Sequence, residues 1–402
     1  MRVSTNTIQD KGINSILQQQ ERLLKIQQQV STGKRIQSPA DDPTAAARAI
    51  DLNQAAALNK QFSENRNNAT ANLGLVESVL EGVTKLIQNV QTAAVNVGNA
   101  TFTDSDRNSV ALELRGRFEE LMAYANSTDA TGQFLFSGFQ GSTRPFASTA
   151  TGVQYNGDQG ERLVQVGESR QISTSDSGTD IFERIKNGNG VFATAANSTN
   201  TGTGVSDVGT VTTPGSLTGN NYDITFTVAV GITTYAIVNT TLGTAVPPGL
   251  PIPYTSGDAI NFDGIQFSIK GAPANGDKFT VSPSSNQSIF KTIDDLINTI
   301  SGTGNGNGIK LTNGLNTALQ NLQNDLDHIL TVRASVGARL QEIDTLQGVG
   351  EDSAIQIQKN ISHLEDVDYA EAISNMNQQQ LFLEAAQKSF MIVSKLTLFD
   401  YL

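Results

Sequence analysis

The chain has 402 residues, 16% of them charged, with a formal net charge of -12 and a sequence pI near 4.7. A surplus of acid argues against a general nucleic-acid binder, whose phosphate contacts need an excess of Lys and Arg. The absence of Cys removes disulfides, thiolate nucleophiles and the common structural zinc sites, and two His residues leave little for metal or proton-transfer chemistry.

No apolar run approaches the ~18 residues of a membrane span, so no membrane insertion is expected. The first residues, MRVSTNTIQDKGINSI, lack the continuous apolar core of a secretory signal. An exported chain of this kind would leave by a route without a cleaved signal. From Thr5 to Val30 the pattern is that of a weak amphipathic helix: Ile16, Leu23 and Val30 recur at seven, but Gln20 and Gln27 take the alternating seam positions. Polar seam residues lower stability while helping to fix register. Its basic residues carry no interleaved aromatics and read as a solvated face, against a transit peptide or nucleic-acid arm.

STGKRIQSPADDP, Ser31 to Pro43, breaks the helical pattern with two prolines. Asp42 followed by Pro43 signals a helix start near Thr44, a cap role that competes with a metal or acid/base pair at Asp41 and Asp42. Ser31 and Lys34 have the spacing of a penicillin-binding motif without its partners, and Gly33-Lys34-Arg35 lacks the rest of a phosphate loop.

The longest pattern follows. Ala55, Phe62, Ala69, Val76, Val83, Val90 and Val97 form one seven-residue column, and Leu52, Asn59, Arg66, Leu73, Leu80, Ile87 and Ala94 the other. This is a coiled-coil seam, and Leu52 to Val97 as a helix is a rod of roughly 69 Å. Its expected partner carries Leu315, Leu322, Ile329, Val336 and Ile343, with Leu319, Leu326, Arg333, Leu340 and Gln347 in the second column. At the seam positions Arg66 and Arg333, a side chain reaching past its apolar stem is favoured over a specific ion pair.

Between the seams the composition changes. Arg107 to Asn126 reads as a helix, and QFLFSGFQGSTRPF, Gln133 to Phe146, leads into short alternating strands. Ala195 to Asn221, rich in Thr, Gly, Ser and Asn, reads as a loose linker. A second β unit follows, with strict alternation from Tyr222 to Val230 and a hairpin turn at Asp263-Gly264. Helix returns at Ile289 to Ile300, and the Gly-Asn run from Gly302 to Gly308 reads as a connector rather than a nucleotide loop. The last helix, from about Val367, puts Tyr369, Met376, Leu383 and Phe390 in one column and Ile373, Gln380, Gln387 and Ser394 in the other. His328 and His363 lack a second ligand at helical spacing, so no metal site and no cofactor are expected.

The expected fold class is α+β: an elongated antiparallel helical bundle built from both chain ends, with inserted β-rich domains. Its parts are an assembly helix and connector at 1–43, bundle at 44–140, a β-rich domain at 141–194, linker plus second β unit at 195–285, bundle at 286–366, and an assembly helix at 367–402.

VSTGKRIQSPADDPTAAARAI, from Val30 to Ile50, closely resembles the N-terminal signature of bacterial flagellins, and DVDYAEAISNMN, from Asp366 to Asn377, resembles the C-terminal one. With their flanking helices they cover residues 1–140 and 286–402. QFLFSGFQGSTRPF, YNGDQGERLVQVGESRQISTSDSGTDIF and the ending LTLFDYL resemble the hook-associated proteins of the hook-filament junction, the family often called FlgL. The resemblance implies a non-enzymatic subunit, exported through the flagellar channel and assembled at the distal end of the hook as an adaptor to the filament. It implies self-association in a ring-like layer, a neighbouring hook-associated protein and flagellin as partners, and an export chaperone at the C-terminal region. The expected assembly residues are Ile16, Leu23, Val30, Tyr369, Ile373, Met376, Leu383, Phe390, Leu396, Leu398, Phe399, Tyr401 and Leu402. Terminal helices so diluted with Gln bury too little apolar surface alone to offset ordering entropy. The competing readings are a filament-forming flagellin, an adhesin with a helical stalk, and an enzyme working through carboxylates raised in pKa within a cleft.

Overall fold

The computed structural model describes residues 5–99, 101–246, 249, 251–302 and 308–395. The chain divides into a terminal unit, residues Met1–Asn65 with Thr345–Leu402, and a central unit, Arg66–Asp344. Its helices are α1 (Thr5–Thr32), α2 (Pro43–Val97), α3 (Asp104–Ala125), α4 (Gly178–Phe182), α5 (Ile289–Gly302), α6 (Gly308–Glu365) and α7 (Tyr369–Lys395). Helices from both chain ends thus flank a central antiparallel β-rich region. α2 starts as its sequence dictates: Pro43 occupies the first position and the Asp42 carboxylate accepts from the Ala45 amide at 3.0 Å. Thr103 and Asp106 close a capping box at the start of α3.

In the central unit the seam of α2 is buried from Ala69 to Val97, as are Leu315, Leu322, Ile329, Val336 and Ile343 on α6. The two helices run antiparallel, with Arg333 reaching Glu77 while Gly98 lies beside Leu315. Both seam arginines depart from the expectation of a side chain reaching into solvent. Arg66 is 3% exposed and its guanidinium donates to the Val166 carbonyl at 2.9 Å. Arg333 donates twice to one oxygen of Glu77, at 2.6 and 2.9 Å, and also to Thr84. Each guanidinium, once its stem packs in the seam, has a hydrogen-bond acceptor within reach, a backbone carbonyl for Arg66 and a carboxylate for Arg333.

The second oxygen of Glu77 is buried with no partner among the described residues, so this carboxylate depends on Arg333. Arg333→Met is expected to cost about 2 kcal/mol and Arg333→Met with Glu77→Met less than that. Thermal unfolding of both variants measures the difference; a double variant no more stable than Arg333→Met would show that leaving the Glu77 carboxylate unpaired carries no cost.

Between the helices lie two small hairpins, Phe146–Thr149 with Gly152–Tyr155 and Leu163–Gln165 with Gln171–Ser173. Two aromatic residues of QFLFSGFQGSTRPF are core: Phe136 and Phe146 meet Phe182 and Phe290 ring to ring at 5.1 to 5.9 Å, joining this segment to α4 and α5, whereas Phe139 is exposed. The larger β unit packs two sheets around Tyr222, Ile224, Phe226, Phe267, Phe279 and their neighbours. One sheet runs Thr244–Ala245, Ile232–Asn239, Tyr222–Ala229, Lys278–Pro283, Phe192–Ala196, with Ile252–Pro253 also on the second strand. The other is built on Ile265–Lys270, which pairs Ala259–Phe262, Val205–Ser206 and Thr210–Val211.

The stretch from Ala195 to Asn221 is therefore not a loose linker. It supplies the end of Phe192–Ala196 and two short edge strands, Val205–Ser206 and Thr210–Val211. Two-residue strands carry no periodicity that a sequence can display. The order comes from distant residues: Ile265–Lys270 pairs the two edge strands, and Asp277, buried, accepts from the amides of Thr201, Gly202 and Ala274 at 2.8 to 3.0 Å.

α6 holds this β-rich insertion through one polar row. Asn313 bonds the backbone of Gly204 and Ser206, Asn321 that of Gly188, Asn324 that of Lys186 and Gly188, and Arg339 that of Ser173. Backbone groups of short strands and loops need such partners once buried.

Candidate assembly surface

In the terminal unit α1 and α7 run antiparallel, with Gly12 against the Phe390 ring at one end and Gly33 beside the Tyr369 hydroxyl at the other. A Cβ at Gly12 would come within 2.6 Å of that ring, so glycine permits the approach. The half-buried face of α1 carries Gly12, Ile16, Gln19, Leu23 and Ile26, and that of α7 carries Ala372, Met376, Gln379, Leu383, Ala386 and Phe390. The expected columns Ile16, Leu23, Val30 and Met376, Leu383, Phe390 are thus half-buried within one chain. The alternating columns differ from expectation: Gln19 and Gln379 take the inner positions, whereas Gln20, Gln27, Gln380 and Gln387 are exposed. The side-chain oxygens of Gln19 and Gln379 are buried with no partner among the described residues. Each such orphan costs about 1–3 kcal/mol, which weakens this helix pair in isolation.

Tyr369 and Ile373 lie outside that seam and are exposed. They join Leu17 and Leu24, themselves seven apart on α1, and residues the heptad count passes over: Ile13 on α1, and Leu381, Phe382, Met391, Ile392 and Val393 on α7. The signal for them is in the runs LFL, 381–383, and MIV, 391–393, since three consecutive apolar residues cannot share one helix face. Leu24 is 59% exposed, Leu381 63% and Ile392 64%. Leu396, Leu398, Phe399, Tyr401 and Leu402 lie outside the described residues.

The two quoted signatures meet where both helices break. Lys34 bridges Asp366, the Val367 amide donates to the Gly33 carbonyl at 3.0 Å, and Lys34 pairs with Glu365 at 2.7 Å. Gly33 adopts the left-handed region with φ of 71°. Asp41 is a structural acid: the Lys25 ammonium at 2.7 Å and the amides of Ser38 and Gln37 hold its carboxyl down to about 2. Asp42 is the cap already described. Farther along, α2 and α6 are tied by Asn59 to the Gly350 carbonyl and Ser63 to Gln347.

No described helix is long and apolar enough to cross a membrane, and no described cluster of His, Cys, Asp and Glu has the makings of a metal site. His328 bonds the Asp180 carbonyl and His363 is exposed. A cleft of about 650 Å³ opens between the 195–204 segment, α5 and α6, lined by amides and hydroxyls together with Asp295, Lys310 and apolar groups such as Ile309 and Ala318. The carboxyls that burial pushes upward, Asp325 and Glu183, do not line it.

Three family models match this chain: the bacterial flagellin N-terminal helical region over residues 3–141, the D2-like domain of flagellar hook-associated protein 1 over 195–283, and the bacterial flagellin C-terminal helical region over 312–402. Flagellar hook-associated protein 3 of Salmonella typhimurium is 29% identical over 403 residues, covering 100% of this chain and 99% of the relative. The crystal structure of the flagellar junction protein FlgL from Legionella pneumophila is 30% identical with a TM-score of 0.73, covering 79% of this chain and 100% of that one. FlgL from Xanthomonas campestris is 32% identical with a TM-score of 0.71, covering 77% of this chain and 99% of that one. With helical signatures at both ends, a fold shared with solved relatives and one relative spanning its whole length, the chain belongs to the flagellar hook-associated protein 3, or FlgL, family.

Proposed function

We propose that this chain is a structural subunit of the bacterial flagellum, joining the hook to the flagellin filament through its terminal unit. The observation that carries this is the α1 and α7 pair: apolar side chains exposed around it, two amide oxygens orphaned within it. Such a pair gains from neighbours more than from its own seam. Copies of the chain in a ring-like layer would cover Leu17, Leu24, Ile373 and Phe382, and the adjoining hook-associated protein and flagellin would take the layer's two ends. An export chaperone would shield the C-terminal region before assembly. The chain would reach the extracellular flagellum unfolded, through the export channel. A Cys-free sequence presents no covalent obstacle to that passage.

Hydrogen exchange resolved along the purified monomer tests the reading. Fast exchange in α1 and α7, beside slow exchange in the buried stretches of α2 and α6, is the expected result. Protection uniform from end to end would mean that the terminal helices already have all their partners, and assembly-coupled ordering would have to be given up.

A further inference from the structure

The β unit contains two hairpins with the same two-residue turn. In one, Asp263 and Gly264 have φ of 44° and 79°; in the other, Val230 and Gly231 have 52° and 78°. A turn with both central residues at positive φ favours Asn-Gly or Asp-Gly, so the first hairpin has the residues its geometry asks for. The second does not. A β-branched side chain in the left-handed region is strained, and Val230 is also fully exposed, at 101%. Ile232 beside it is 64% exposed and Val228 is exposed too. The register Ala229 to Ile232 and Val228 to Thr233 puts these apolar groups on both faces of the tip, beyond the last buried residue of the strand, Phe226. Neither folding nor solubility gains from valine at this position.

From Ile224 to Val238 the hairpin carries no charged residue. Asp223, at its base, is paired with Lys278 at 3.1 Å. In a chain of net charge -12 this finger is a place where a second copy can approach without like-charge repulsion. The tip covers on the order of 300 Å², well short of the ~800 Å² per partner of a stable complex. A contact of that size does not hold a dimer in solution, but it adds to an assembly whose members are already held side by side.

We propose that the Val228–Ile232 fingertip is a subunit contact, seated against an apolar surface on the neighbouring copy of this chain. This rests on the self-association proposed above for the terminal helices. The test uses the full chain and two variants. Val230→Asn supplies the side chain the turn prefers, and its unfolding midpoint is expected to rise by about 1–3 °C. At the same time the concentration at which half the protein sediments as oligomer should rise about fivefold or more. Val230→Cys introduces a single thiol into a chain without cysteine, and a short bismaleimide should join that thiol to a neighbour only when its partner also carries an engineered thiol at an exposed position of the receiving face, found by scanning single exposed sites. A Val230→Asn chain that is more stable and associates as readily as the wild type would overturn the contact and leave terminal-helix assembly standing. A wild-type chain that remains monomeric at every concentration would overturn both.

Discussion

With Leu17, Leu24 and Phe382 replaced by Asp, the chain should still fold its central unit at the wild-type temperature yet fail to join any assembly. All three side chains are exposed on the terminal helix pair, and none belongs to the half-buried seam between α1 and α7. Their removal therefore costs the monomer little. In an assembly each would bury an apolar side chain worth about 1.5–3 kcal/mol, and an unpaired carboxylate would take its place. Together the three changes should cost at least about 4 kcal/mol per contact, a thousandfold or so in affinity. Gln18→Asp with Gln378→Asp adds negative charge at exposed polar positions of the same helices and is the control. Sedimentation and incorporation into hook-filament junctions are the readouts, with circular dichroism to confirm the fold. Incorporation equal to wild type would mean that another surface joins the subunits.

The second large effect lies inside the central unit. Asp325 is 1% exposed in the α6 seam, among Leu322, Leu326 and Ile329, with one carboxylate oxygen lacking a partner among the described residues. Burial pushes its pKa up to about 8, against a smaller opposing contribution from the Thr292 hydroxyl. Because the folded pKa lies above the unfolded one, the folded chain holds a proton that the unfolded chain releases. Stability is then full below pH 4, falls as pH rises toward 8, and levels off beyond it, by about 1.4 kcal/mol per pH unit in that window. Asp325→Asn removes the titration and should be the more stable protein at pH 8 by about 2 kcal/mol or more. Asp41 has the opposite sign: its depressed pKa contributes stability above pH 4 that is lost as pH falls toward 2. Denaturant unfolding of wild type and Asp325→Asn from pH 5 to 9 gives the comparison. Parallel curves would show that the buried acid does not titrate in this range.

Asp325 also shows where reading the chain falls short. The seam on α6 shows in its apolar residues, and an acid between Leu322 and Leu326 has the spacing of a solvated position until α5 packs over it, with Thr292 beside the carboxylate. Arg66 and Arg333 carry the same lesson. A charged residue in a heptad column is compatible with solvent or with a buried partner, and the partners, Val166 and Glu77, are far away in the chain. On the terminal helices, heptad counting picks out Ile16, Leu23, Val30, Met376, Leu383 and Phe390, half-buried within one chain, together with Tyr369 and Ile373, which are exposed like Leu381, Phe382 and Ile392.

The helices at both ends, the start of α2 at Asp42-Pro43, the alternating strand from Tyr222, the Asp263-Gly264 turn and the family signatures are legible in the residues alone, because each depends on contacts within a few residues or on a repeat of fixed period. Long-range packing settles which face of α1 meets α7, that the 195–221 stretch is ordered by Ile265–Lys270 and Asp277, and that a strained valine caps the second hairpin. Those outcomes depend on pairings between residues far apart in the chain, whose energies no local pattern records.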